Sequence, residues 1–175
     1  MRLIDYVKEH YAGVYDEYLH DVEKFTNDIE SAFTKIVKYG RTLCHGDFAH
    51  VNRIKTKSGG LKIYDWETSC YINPEYDAIA YLVRSAHILN DEYIASVLGE
   101  YFKRSTVRRK LDDYQECLMI NLHMQFFYGY AWILPMFVGV ESKEAGSFKL
   151  WFEMDNFMRL YNFLKCKKFN ELSMI

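Results

Sequence analysis

Leu43-Cys44-His45-Gly46-Asp47-Phe48-Ala49-His50-Val51-Asn52-Arg53-Ile54, answered by Ile63-Tyr64-Asp65-Trp66-Glu67, is the stretch that decides the fold. Between the two halves lies Thr56-Lys57-Ser58-Gly59-Gly60, a cluster of turn residues that predicts a β-hairpin. Its strands are expected at Val51 to Thr56 and Leu61 to Asp65, where β-branched and aromatic residues favour a pleated backbone. Such a hairpin folds Asp65 back beside Asn52, although thirteen positions separate them in sequence. Gly46 suits a point where the backbone passes closely or takes a positive φ.

Outward from the hairpin the periodicity becomes helical. From Leu3 to about Tyr39 apolar residues recur at helix spacing, as in Val22, Phe25, Ile29, Phe33, Ile36 and Val37. Gly13 is expected to divide this stretch into two helices, and Gly40 to cap the second. On the other side Asn73-Pro74-Glu75 reads as a helix start, with Tyr76, Ile79, Ala80, Leu82 and Val83 on the buried side. Further helices are expected at about Asp91 to Arg104, Val107 to Val138 and Lys143 to Cys166. The order of helices, hairpin and helices predicts an α+β fold, mostly α, rather than an alternating parallel sheet. Without repeats or linkers the chain reads as one domain over 1–175, with N-terminal helices at 1–40, loop and hairpin at 41–72, and a helical subdomain at 73–175.

Composition narrows the function. The chain has 175 residues, half of them hydrophobic, enough for a sizeable core. A formal net charge of -2 and the lack of a long basic run argue against nucleic-acid binding. The densest basic patch, Lys103, Arg104, Arg108, Arg109 and Lys110, is followed by Asp112 and Asp113 and reads as solvated surface. Cys117 to Val140 carries no charged residue, but Asn121, His123 and Gln125 interrupt it, so a buried helix is expected rather than a membrane span. Cys44, Cys70, Cys117 and Cys166 lack metal or redox spacing, and the first ten residues lack a signal-peptide core, so free thiols in the cytoplasm are expected.

His45, Asp47 and Asn52 have the H-x-D-x-x-x-x-N spacing of a kinase catalytic loop. With the His-Gly-Asp form and the Asp65-Trp66-Glu67 strand end, the segment resembles the aminoglycoside and choline kinase branch of phosphotransferases. The chemistry agrees with the resemblance, because phosphoryl transfer to a hydroxyl needs an acceptor beside the attacking oxygen and hard oxygen ligands for magnesium. The resemblance implies a kinase-like C-terminal lobe and transfer of the ATP γ-phosphate to an aminoglycoside-, choline- or sugar-like hydroxyl. It assigns the acceptor hydroxyl to Asp47 and magnesium, with the ATP it carries, to Asn52 and Asp65. His45 would brace the loop. Asp77, in Pro74-Glu75-Tyr76-Asp77-Ala78-Ile79-Ala80, would tie the loop to the following helix, with capping of its own helix as the plain alternative.

The resemblance covers about Ile29 to Leu89. It also implies a β-rich N-terminal lobe with a phosphate-covering loop and a strand lysine, none of which can be placed in this sequence, so that lobe is expected to be absent and the chain weak or inactive alone. A missing lobe would leave an apolar surface that favours a homodimer or a separate lobe as partner. The competing function is a catalytically silent binding or scaffolding module. A hydrolase metal site at His45 and Asp47 is a further alternative, lacking other ligands at a recognisable spacing. His50, His87 and His123 read as packing or surface histidines, and Phe126, Phe127, Tyr128, Tyr130 and Trp132 as core or pocket lining.

Overall fold

Glycine and serine between two runs of β-formers close the expected hairpin, β2 (Arg53–Lys55) against antiparallel β3 (Leu61–Ile63). The computed structural model of the protein describes residues 31–32, 34–84, 90–128 and 154–166. Both hairpin strands are shorter than the sequence predicts, because His50–Asn52 forms a 3-10 turn and Asp65 turns away with a φ of 65°. Sequence reading missed a second pair, β1 (Thr42–Cys44) with antiparallel β4 (Cys70–Ile72), which brackets the catalytic-type loop and places Cys44 opposite Cys70. Strands this short carry little local signal and are held by their long-range partner.

Among the described residues four helices follow: α1 (Glu75–Val83), α2 (Asp91–Arg104), α3 (Leu111–Tyr128) and α4 (Met154–Lys165). With the two small antiparallel sheets they make the mixed α+β architecture, mostly helical, of a kinase-like C-terminal lobe. Asn90 caps α2 by accepting the Tyr93 N–H at 2.7 Å, so α2 begins where the sequence places it. The core lies where α1 meets α2, α3 and α4, with Ile79, Leu82, Ile94, Leu98, Leu118 and Leu160 fully buried. Each such side chain contributes about 1.5–3 kcal/mol by leaving water, which is what fixes α1 beneath the loop.

Residues 31, 32 and 34–36 are helical, but Gly40 does not end that helix in a left-handed conformation. Instead buried Asn73 donates through Nδ2 to the carbonyls of Ile36, Tyr39 and Gly40 at 3.0–3.2 Å, capping the helix from the foot of α1. The helix expected from Val107 begins at Leu111, with Asp112 and Asp113 in its first turn where negative charge is favoured. The basic patch is also not wholly surface. Arg109 is buried in an ion pair with Glu75, because an irregular backbone before α3 lets it reach inward. No described helix is long and apolar enough to cross a membrane. The division at Gly13, His87, the helix continuations at 129–138 and 143–153, Tyr130 and Trp132 lie outside the described residues.

Candidate active site

The loop between β1 and β2 is built on a glycine that no other residue can replace without strain. Gly46 has a φ of +86°, and a Cβ there would overlap the backbone carbonyl oxygen of Thr68. The loop is then tied from two directions. Asp77, in the first turn of α1, accepts the N–H of His45 at 2.7 Å through one carboxylate oxygen and that of Gly46 at 3.0 Å through the other. Both oxygens therefore serve the loop rather than capping α1, whose N-terminus has no side-chain cap. Burial pushes the Asp77 carboxyl above its usual value, and the two amide hydrogen bonds oppose that rise.

His45 is buried and has both ring nitrogens on backbone partners. Nε2 lies 2.7 Å from the Tyr64 carbonyl, an acceptor, so it carries the hydrogen. Nδ1 then accepts the Asp47 N–H at 3.3 Å. One imidazole thus joins the loop at Asp47 to the strand end at Tyr64, and Trp66 packs on it at 4.7 Å between ring centroids.

Asn52 donates through Nδ2 to the Asp47 carbonyl at 2.9 Å and to Asp47 Oδ2 at 3.2 Å. Both amide hydrogens face Asp47, so Oδ1, the hard oxygen, faces away from it. The hairpin sets the backbone before Asp65 against Asn52, since the Tyr64 N–H donates to the Asn52 carbonyl at 3.2 Å. Asp65 itself sits at a φ of 65°, a left-handed conformation that costs an L residue about 1–2 kcal/mol, and its carboxylate has no hydrogen bond or ion pair among the described residues. Strain of that kind collects at working sites, where surrounding structure holds the residue in place. Asn52 Oδ1 and the Asp65 carboxylate are oxygen donors of the kind magnesium takes, since it uses one or two protein oxygens and completes its shell with phosphates and water. Among the described residues no three of His, Cys, Asp and Glu gather as a metal cage.

Sequence reasoning missed one neighbour. Arg84, at the C-terminal end of α1, forms an ion pair with Asp47 Oδ1. Its only sequence signal was a cation at a helix terminus, which says nothing of a loop 37 positions earlier. Thus hydrogen bonds join His45, Asp47, Asn52 and Asp77 around the loop, and Asp65 follows the strand end whose Tyr64 meets both Asn52 and His45. By contrast His50 lies exposed, and His123 is buried away in α3 with Nδ1 2.8 Å from the Met119 carbonyl. Phe126 is a core residue of α3.

No curated protein matches the chain significantly. The model of the phosphotransferase enzyme family matches residues 2–115, a stretch that includes the loop, the hairpin, α1, α2 and His45, Asp47, Asn52, Asp65 and Asp77. Because the match covers well over half of the chain, the chain belongs to the phosphotransferase enzyme family.

Proposed function

We propose that this site transfers the γ-phosphoryl group of ATP to a hydroxyl of a small-molecule acceptor, the chemistry for which aminoglycosides, choline and sugars are model acceptors. In this reading Asp47 orients the hydroxyl and takes its proton as the new oxygen–phosphorus bond forms and the bond to ADP breaks. Asn52 and Asp65 hold magnesium, which when bound with ATP supplies neutralising charge at the phosphates. His45 and Asp77 keep the loop in register with the hairpin and α1. The observation that carries the reading is the grip of Asn52 on Asp47, which fixes the proton acceptor through the amide nitrogen and turns the amide oxygen outward, while the Tyr64 N–H ties the strand leading to Asp65 to the same asparagine.

Val51, Ile54, Leu61 and Trp66 are exposed on the elements that carry Asn52 and Asp65. That apolar rim supports a cover over the nucleotide side, furnished by a further lobe or a second copy of this chain. Four free thiols, and ATP as co-substrate, support a cytoplasmic location.

The test follows the label of γ-labelled ATP with magnesium, read as phosphate when water is the acceptor and as glycerol phosphate when glycerol is. Asp47→Ala is expected to lower the rate about 10²–10⁴-fold, the usual contribution of a positioned acid–base group. Asn52→Ala and Asp65→Asn are expected to weaken magnesium-dependent ATP binding. Turnover unchanged in Asp47→Ala refutes its role.

A further inference from the structure

Two guanidinium groups flank the dipeptide Asp47-Phe48. Arg84 pairs with Asp47 Oδ1, while Asn52 holds the other carboxylate oxygen. Arg53, the residue after Asn52, lies over the Phe48 ring at 5.7 Å and over the Tyr81 ring at 4.7 Å. Tyr81 and Arg84 are three residues apart at the end of α1, so they project from the same side of it. The edge of the site beyond Asp47 is therefore lined by α1 and by two cations.

The charges do not balance there. Asp47 compensates Arg84, but Arg53 makes no ion pair among the described residues, and its buried Nε has no hydrogen-bond acceptor among them. A guanidinium stacked on aromatic rings is held flat with its outer N–H groups directed past the ring edge, the arrangement that suits a planar or tetrahedral oxyanion. A cationic acceptor approaching Asp47 would meet one guanidinium paired with that carboxylate and a second, on Arg53, that no described carboxylate offsets.

We infer that Arg53 and Arg84 form the acceptor-selecting side of the site, and that the acceptor is a hydroxylated small molecule bearing an oxyanion, a carboxylate or a phosphate, rather than an amine. The inference rests on the phosphotransferase reading above and narrows its acceptor. An oxyanion seated between the two arginines compensates Arg53 and competes with Asp47 for Arg84. That exchange frees a carboxylate oxygen of Asp47 for the acceptor's hydroxyl, so only an anionic acceptor would both bind and unmask the base.

The test titrates the full chain with D-glycerate, glycerol phosphate, glycerol and choline, following the arginine Nε–H signals by NMR, with magnesium-ATP binding measured on the same samples. Glycerate or glycerol phosphate is expected to move the Arg53 and Arg84 signals and to bind at least about tenfold more tightly than glycerol or choline. Whichever of the two binds more tightly identifies the oxyanion. Arg53→Gln and Arg84→Gln should each weaken that binding about tenfold, and Arg53→Lys, which keeps the charge, should weaken it less. Choline binding as tight as either anion overturns the inference, as does anion affinity unchanged in both glutamine variants. Magnesium-ATP binding that persists while neither anion binds would sink the acceptor assignment and leave the phosphotransferase reading standing. Anion binding without any magnesium-ATP binding would do the reverse.

Discussion

The carboxylate of Asp77 holds the backbone N–H of Gly46 at 3.0 Å across 31 positions of sequence, while its other oxygen holds that of His45. Because α1 is packed on α2, α3 and α4, this single side chain transmits the position of the helical core to the loop carrying Asp47. Removing it leaves two partly buried amides without acceptors. Asp77→Ala is expected to destabilise the protein by about 2–4 kcal/mol, two hydrogen bonds to a charged group, read as a lowered urea midpoint.

The same carboxylate gives a pH signature. Burial, its largest influence, raises the folded-state value above the ordinary 3.8 despite the opposing amide bonds. The folded protein then holds the proton more tightly than the unfolded chain, so the contribution of this group to stability is complete below 3.8 and is lost as pH rises through the folded value. The stability of the wild type relative to Asp77→Asn should therefore fall as pH is raised through the acidic range. A wild-type-minus-variant difference that stays flat there would contradict the burial argument.

Gly46 gives a sharper test of the loop. Its positive φ costs a residue with a Cβ about 1–3 kcal/mol, and the Thr68 carbonyl stands where that Cβ would go. Gly46→Ala is expected to lose at least that much stability, whereas Gly40→Ala, with open space and no positive φ, should change it little. Chemical denaturation of the two variants side by side measures the contrast.

Asn73 is the polar bolt between the first described helix and α1. Its Nδ2 reaches the carbonyls of Ile36, Tyr39 and Gly40, and the residue has no solvent exposure. Asn73→Ala strands those acceptors and is expected to cost about 1–3 kcal/mol, with hydrogen exchange accelerating at residues 34–40 before the rest of the protein. Uniform acceleration would show that the bolt is not local.

What the sequence made legible is what local chemistry decides. The hairpin was readable because Ser58, Gly59 and Gly60 turn the chain between β-formers, and α2 because its residues recur at helical spacing from Asp91 to Arg104. The loop could be read because His45, Asp47 and Asn52 keep a spacing that resembles a kinase catalytic loop. The pairing of Cys44 with Cys70 could not, since each strand has three residues and meets its partner 26 positions away. Gly40 was misjudged because the cap comes from Asn73, a distant side chain, and not from a local backbone conformation. Arg84 was missed for the same reason, its partner Asp47 being set by the tertiary fold.

Arg109 was read as surface from its basic neighbours, yet its side chain is only 7% exposed and grips Glu75, which is 1% exposed, at 2.8 Å. A second contact at 3.3 Å makes the pair two-pronged, the Tyr39 ring lies 5.1 Å from the guanidinium, and the Cys117 thiol donates to the same carboxylate at 3.2 Å. Arg109→Ala leaves a buried carboxylate with only a thiol and is expected to cost about 3–5 kcal/mol. The pair need not stabilise the fold relative to apolar packing, because each charge also loses its hydration. Glu75→Leu combined with Arg109→Met should therefore recover most of the loss, giving a large favourable coupling in a double-mutant cycle measured by denaturant unfolding. If the double variant is as unstable as the sum of the singles, the two residues do not act as a pair, and the anchoring of α3 on the foot of α1 must come from the apolar core alone.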